Sequence, residues 1–161
     1  MKNLKIYYID ENYINYLRQF DTNVAYNKSK TRPYVGIVYT YNNFNYFAPL
    51  TSPKEKHKKI NDKAIDIYKI KNGELGAVNI NNMIPTTIEE LTEVLPIVTD
   101  KKYKKMLEEQ LTYLNNHKAE LFKKIKYFQN MYRKGYLSEN ILARCCNFEL
   151  LEKVFLEYVN N

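Results

Sequence analysis

The sequence predicts an α+β fold, and two observations carry that prediction. Runs of β-branched and aromatic residues, bounded by Asn, Gly and Pro, are gathered before residue 85. After residue 100 the apolar residues recur with helical spacing instead, nearly in one phase as far as residue 132. Strands gathered ahead of helices distinguish such a chain from the strict alternation that builds a parallel sheet. At 161 residues, 45% of them hydrophobic, the chain is long enough for one core and short for two, so a single domain over residues 1–161 is expected.

Residues 5–9 are apolar and aromatic and read as a first strand. Asp10 offers an N-cap to residues 11–20, where Tyr13, Ile14, Tyr16, Leu17 and Phe20 mark one buried stripe of a short helix. Residues 21–33 are a polar loop that carries Lys28, Lys30 and Arg32 and ends at Pro33. Residues 34–41 and 44–50 read as a hairpin turned at Asn42-Asn43. Residues 65–70 and 75–80 read as a second hairpin around Asn72-Gly73, with Gly76 marking a bulge or a close backbone approach. Thr87, ahead of Glu89 and Glu90, caps a short acidic helix expected over residues 86–95. Asp100 caps the next helical region, whose stripe runs through Tyr103, Met106, Leu107, Leu111, Leu114, Leu121, Phe122, Ile125, Phe128 and Tyr132. It forms one long helix, or two broken around Asn115-Asn116, and Gly135 ends it. Asn147 caps a last helix over residues 148–159, with Leu151, Val154, Phe155 and Tyr158 facing inward.

Net charge is +7 and unevenly placed. Residues 28–63 carry eight Lys or Arg against two acids, residues 101–134 carry ten against three, and all other positions carry seven against thirteen. Two basic blocks are the electrostatic footprint of a polyanion binder, although a helix with a solvated face would give the second block equally well. The first residues lack the apolar core of a signal peptide, and no apolar run approaches membrane-spanning length. A cytoplasmic location without membrane partners is therefore expected, with the adjacent Cys145 and Cys146 as buried thiols.

Polar chemistry concentrates in residues 47–57, F-A-P-L-T-S-P-K-E-K-H. Thr51, Ser52 and Lys54 follow directly on a strand whose exit two prolines stiffen, a good mount for a site. Their hydroxyls and amine suit a phosphodiester, with Lys56, His57, Lys58 and Lys59 continuing the track along neighbouring phosphates. The same residue types also make an ordinary basic turn. A non-catalytic RNA-binding module, or a protein-interaction domain with solubilising lysines, stays open on the residues alone. RNA supplies its own nucleophile, so cleavage by the 2′-hydroxyl needs a base, cations or donors for the phosphoryl oxygens, and an acid for the leaving 5′-oxygen. The sequence has no clustered carboxylates of the kind a two-metal nuclease uses, and no metal or other cofactor is expected.

The block F-A-P-L-T-S-P-K with His57 three residues on resembles the signature of the type III toxin–antitoxin endoribonucleases, the family of ToxN, AbiQ and CptN. Further segments resemble that family in the same order: Tyr13-Ile14-x-Tyr16-Leu17-x-x-Phe20-Asp21, Val35-Gly36-Ile37-Val38, Gly76 with Asn79 and Met83-Ile84-Pro85, Tyr103-Lys104-x-Met106-Leu107-x-x-Gln110-Leu111, and Cys146-Asn147-Phe148-x-Leu150-Leu151-Glu152. The resemblance implies a strongly twisted, mainly antiparallel sheet flanked by helices, similar to the MazF/Kid toxins. It implies metal-independent cleavage leaving a 2′,3′-cyclic phosphate and a 5′-hydroxyl. Thr51 and Ser52 would orient the scissile phosphate, Lys54 would stabilise its charge, and Tyr13 would assist proton transfer; His57 is the alternative acid. Arg32 matches a basic position at which ToxN has lysine; a guanidinium keeps the charge and can clamp a phosphate in two-pronged fashion, but does not readily give up a proton. The implied partners are a repeated small pseudoknot RNA, both substrate and inhibitor, in a closed ring of protein and RNA subunits, and cellular or phage mRNA. The two basic blocks suit such a ring, one beside the cleavage site and the other, with Lys101, Lys102, Lys104, Lys105, Lys118, Lys123, Lys124 and Lys126, gripping a second RNA unit.

Overall fold

The computed structural model of this chain describes residues 2–27 and 31–161, so Lys28 and Lys30 lie outside the described residues. Asp10 closes β1 (Lys5–Ile9) and opens α1 (Glu11–Arg18), its carboxylate accepting the backbone N–H of Asn12 at 2.9 Å and of Tyr13 at 3.3 Å. Asn42 and Asn43, with φ of 47° and 69°, make the left-handed turn between β2 (Pro33–Tyr41) and β3 (Phe44–Thr51). A single-turn helix, α2 (Glu55–Lys59), then forms where the sequence reads as a loop.

The second hairpin is shorter than expected. Its strands are β4 (Ile67–Lys69) and β5 (Ala77–Asn79), because Lys71, Asn72 and Gly73 all take positive φ and coil the connection into a 3₁₀ turn. β6 (Ile84–Pro85) follows. The acidic helix expected over residues 86–95 is absent: a 3₁₀ turn at Ile88–Glu90 leads into β7 (Leu91–Glu93), which pairs with β1. The open edge of β1 offers this segment ladder partners that an isolated helix of its length lacks.

The strand order is β4-β5-β3-β2-β1-β7, and every pairing is antiparallel. The outer edge of β3 is shared, β6 pairing with Tyr46 and Phe47 and β5 with Leu50 and Thr51. Of the two arrangements expected, the chain takes the broken one: α3 (Lys101–Asn116) and α4 (Lys118–Arg133), with the break at His117. Asn115 sits at that break and holds both the N–H and the carbonyl of Leu4, at 2.7 and 3.2 Å. After α5 (Glu139–Arg144), Asn147 caps α6 (Phe148–Val159) through the N–H of Leu150.

α3 packs on β1 and the 70–73 turn, α4 on β2, and α6 on β6 and α1. The core between them is rich in tyrosine: Tyr13, Tyr34 and Tyr46 are all fully buried. Tyr46 donates to Glu152 at 2.5 Å, and Glu152 also takes Arg133, whose guanidinium lies 4.0 Å from the centre of the Tyr41 ring. Cys145 and Cys146 are buried free thiols, and among the described residues no helix is long and apolar enough to cross a membrane.

Candidate active site

The end of the β2–β3 hairpin assembles the site through a slip in register. Near the turn Tyr39 faces Tyr46, but further on Gly36 faces Phe47, so β2 carries two residues there that β3 does not match. The register then continues through Tyr34 opposite Pro49, which sets Arg32, just before β2, abreast of Thr51 at the end of β3. Arg32, Thr51, Ser52 and Lys54 line one cleft of about 180 Å³. Its far wall is α3, through Tyr103, Met106 and Gln110, and Pro33 and Leu50 complete the near wall. The cleft thus combines a polar, cationic group, formed by two hydroxyls, an amine and a guanidinium, with apolar side chains.

What holds the polar groups in place is buried beneath them. The N–H of Lys54 donates to Nδ1 of His57 at 3.2 Å, which fixes the ring proton on Nε2. That nitrogen, 3.3 Å from the Thr51 hydroxyl, therefore donates to it, and the hydroxyl in turn donates to the carbonyl of Ala77 at 3.4 Å. Gln110 reaches from α3 to the carbonyls of Thr51 at 3.3 Å and Leu75 at 2.8 Å. Two glycines let the 70–76 turn come this close. A Cβ on Gly76 would lie 2.1 Å from the Thr51 carbonyl, and one on Gly73 would lie 2.7 Å from the backbone of His57.

Residues 5–156 match the family model described as toxin ToxN of type III toxin–antitoxin systems. The chain belongs to this family. It is 30% identical to endoribonuclease ToxN of Pectobacterium atrosepticum over 96% of this chain and 94% of that protein. A solved structure of AbiQ, a lactococcal anti-phage endoribonuclease of the type III toxin–antitoxin system, overlays with a TM-score of 0.85 at 30% identity, covering 99% of this chain and all of that one. Another, from work on toxin inhibition by a non-coding RNA pseudoknot in bacterial type III systems, gives a TM-score of 0.80 at 27% identity, covering 99% of this chain and 100% of that one.

Three readings of the ToxN-like motifs change once the side chains are placed. Tyr13 is not in the cleft. It is 0% exposed, donates to the carbonyl of Pro85, and packs on Phe155 and Tyr158 of α6. Burial drives its phenol well above the ordinary tyrosine range, with nearby Glu90 adding to the rise, so it stays protonated. Tyr13→Phe is expected to lower stability by ~1–3 kcal/mol, because the Pro85 carbonyl loses its donor in the core, and to leave RNA cleavage within about twofold. A large loss of cleavage in a Tyr13→Phe protein of unchanged fold would return this phenol to the reaction.

His57 is the second correction. Only 2% exposed, its ring braces Thr51 and Lys54 from below and does not line the cleft. Burial pushes its pKa below the ordinary 6.5, and the neighbouring Lys56 and Lys54 push the same way. The folded protein therefore resists protonation that the unfolded chain accepts, so the stability from a neutral His57 is complete above about pH 6.5 and is lost as pH falls toward the folded pKa. Melting temperatures measured between pH 7.5 and pH 5.5 should fall for the parent and fall less steeply for His57→Gln. Parallel curves would show that His57 is not the titrating brace.

The lysines of the second basic block also divide differently. Tyr103 and Met106 line the cleft, but Lys101, Lys102, Lys104 and Lys105, interleaved with them on α3, do not, and Lys105 lines a separate groove with Lys71, Leu75 and Glu108. Lys118 bonds the carbonyl of Lys2 and the side chain of Asn3, tying α4 to the N-terminal segment. Lys124 is half-buried in a small pocket lined also by Asp62 and Glu120. Burial lowers its pKa while Asp62 and Asp66 oppose that. Lys123 and Lys126 are exposed on α4, and Lys56 and Lys59 on α2; Lys58, also exposed, pairs with Glu55 at 3.3 Å. Gln110 stood in the Tyr103–Leu111 segment without a role assigned to it, although a polar residue one turn beyond Met106 and two beyond Tyr103 in an apolar stripe is the signal that marks it.

Proposed function

We propose that this chain, as one domain over residues 1–161, is the toxin endoribonuclease of a type III toxin–antitoxin system and works in the cytoplasm on RNA. The observation that carries this reading is the convergence of Arg32, Ser52 and Lys54 on one cleft whose floor is pinned by Thr51, His57 and Gln110. A phosphodiester in the cleft meets two fixed positive charges and a hydroxyl. The ribose 2′-oxygen attacks the adjacent phosphorus, the bond to the 5′-oxygen breaks, and the products carry a 2′,3′-cyclic phosphate and a 5′-hydroxyl. One proton leaves the 2′-oxygen and one reaches the 5′-oxygen, so the reaction consumes no co-reactant. Arg32 and Lys54 stabilise the charge gathered on the phosphoryl oxygens, and Ser52 orients them. Thr51 acts mainly through its backbone position, since its hydroxyl is occupied by His57 and Ala77.

The partner is a repeated small pseudoknot RNA that the toxin both cuts and is restrained by, in a closed ring of protein and RNA subunits, with cellular or phage mRNA as the target when released. The inhibition of a related toxin by an RNA pseudoknot and the anti-phage role of AbiQ support this. The basic surfaces of α2 and α3 flanking the cleft supply the charge.

Incubation of the protein with RNA in excess chelator tests the reading. Cut RNA whose new 3′ ends resist phosphatase until the cyclic phosphate is opened is the expected product. Intact RNA retarded on a gel would replace the enzyme with a binding module.

A further inference from the structure

A phosphodiester needs only the polar groups of the cleft, yet apolar groups line it as well, on both the hairpin side and the α3 side. Pro33 and Leu50 stand on the hairpin side, and Tyr103 and Met106 on the α3 side, both of the latter half-buried and open to the cleft. A slot of this kind fits a flat, apolar-faced ring. Tyr103 is held at its base. Its backbone N–H is the one that caps onto Asp100 at 2.9 Å, and its ring is half-buried with the hydroxyl near that of Tyr8 on β1. Burial pushes that hydroxyl up to about 12, with Tyr8 adding to the rise and Arg32 opposing it, so it stays protonated near neutral pH. A half-buried ring on a capped first turn loses little freedom when another ring covers it.

We infer that Tyr103 is the stacking platform for the nucleobase beside the scissile phosphate, so that the cleft grips one nucleotide by its base as well as by its phosphate. This rests on RNA being the ligand of the cleft, and does not require that the RNA be cut. The base lies between α3 and the hairpin, and its flat face, common to all four bases, gives grip without fixing sequence. Arg32, close enough to Tyr103 to influence its hydroxyl, borders the same slot and spans base and phosphate.

The test uses a nine-nucleotide 2′-fluoro oligoadenylate, which lacks the attacking hydroxyl and stays intact, and the same backbone with abasic sugars. The parent should bind the adenylate more tightly than the abasic strand. Tyr103→Leu should weaken adenylate binding by roughly 5- to 150-fold, the range of one base–aromatic stack, and leave the affinity for the abasic strand unchanged. Tyr103→Phe keeps the ring and should bind both strands as the parent does. Equal weakening on both strands would make Tyr103 a structural residue, a Phe variant as weak as Leu would move the role to the hydroxyl, and a parent with no preference for bases would remove the slot; each overturns the inference. Because no cleavage is measured, a protein that binds RNA without cutting it still returns a clear answer.

Discussion

Lys54→Ala and Ser52→Ala should each lower RNA cleavage by roughly 10²–10³-fold, the usual consequence of removing one group that stabilises transition-state charge. Both side chains are exposed, on the segment that links β3 to α2, and neither belongs to the core. Their removal should therefore leave the far-UV circular dichroism spectrum and the melting temperature nearly unchanged, while growth arrest on induction disappears. Arg32→Lys, by contrast, keeps a charge in the cleft and loses only the planar fork, so its loss should be smaller than that of Arg32→Ala. Folded Lys54→Ala and Ser52→Ala proteins that remain fully toxic would take this stretch out of the reaction.

The parts of the fold set by local chemistry were legible in the sequence. Asp10, Asp100 and Asn147 cap the helices expected to follow them, and Asn42-Asn43 turns the hairpin, because a carboxylate or amide beside free N–H groups acts within a few residues. What depended on distant partners was not. Thr87 and the following glutamates have a helix-start pattern, yet the edge of β1, some eighty residues away in the chain, draws residues 91–93 into a strand.

The site shows the same division. Its groups were readable from the F-A-P-L-T-S-P-K block, but their meeting with Arg32 depends on the slip in register between Gly36 and Tyr39, which no residue announces. A uniform hairpin would set Arg32 opposite Pro53. Tyr13 and His57 were expected at the cleft and lie buried behind it, for a related reason. A motif records that a residue is needed, and a buried phenol or imidazole that holds a backbone group is needed as much as one that touches substrate.

Gly76 offers the sharpest test of how the site is held. At φ of +96° any side chain strains the backbone, and here a Cβ would also press to 2.1 Å from the Thr51 carbonyl and 3.1 Å from Nε2 of Gln110. The backbone strain alone costs roughly 1–3 kcal/mol. The clash adds a displacement of Thr51 and Ser52, and a shift of the order of 1 Å at a reacting centre costs roughly 10²-fold in rate. Gly76→Ala should therefore lose both stability and cleavage. Gly135, just past α4, supplies the control: its φ is +76°, but a Cβ there would meet nothing within 4 Å. Gly135→Ala should pay the same kind of backbone strain, seen as a lowered melting temperature, with cleavage intact. Both variants are to be assayed well below their melting temperatures, so that unfolding does not masquerade as lost activity. If Gly76→Ala cleaves RNA as well as Gly135→Ala does, then contact between the 70–76 turn and Thr51 is not what positions Ser52 and Lys54, and the support must come from His57 and Gln110 alone.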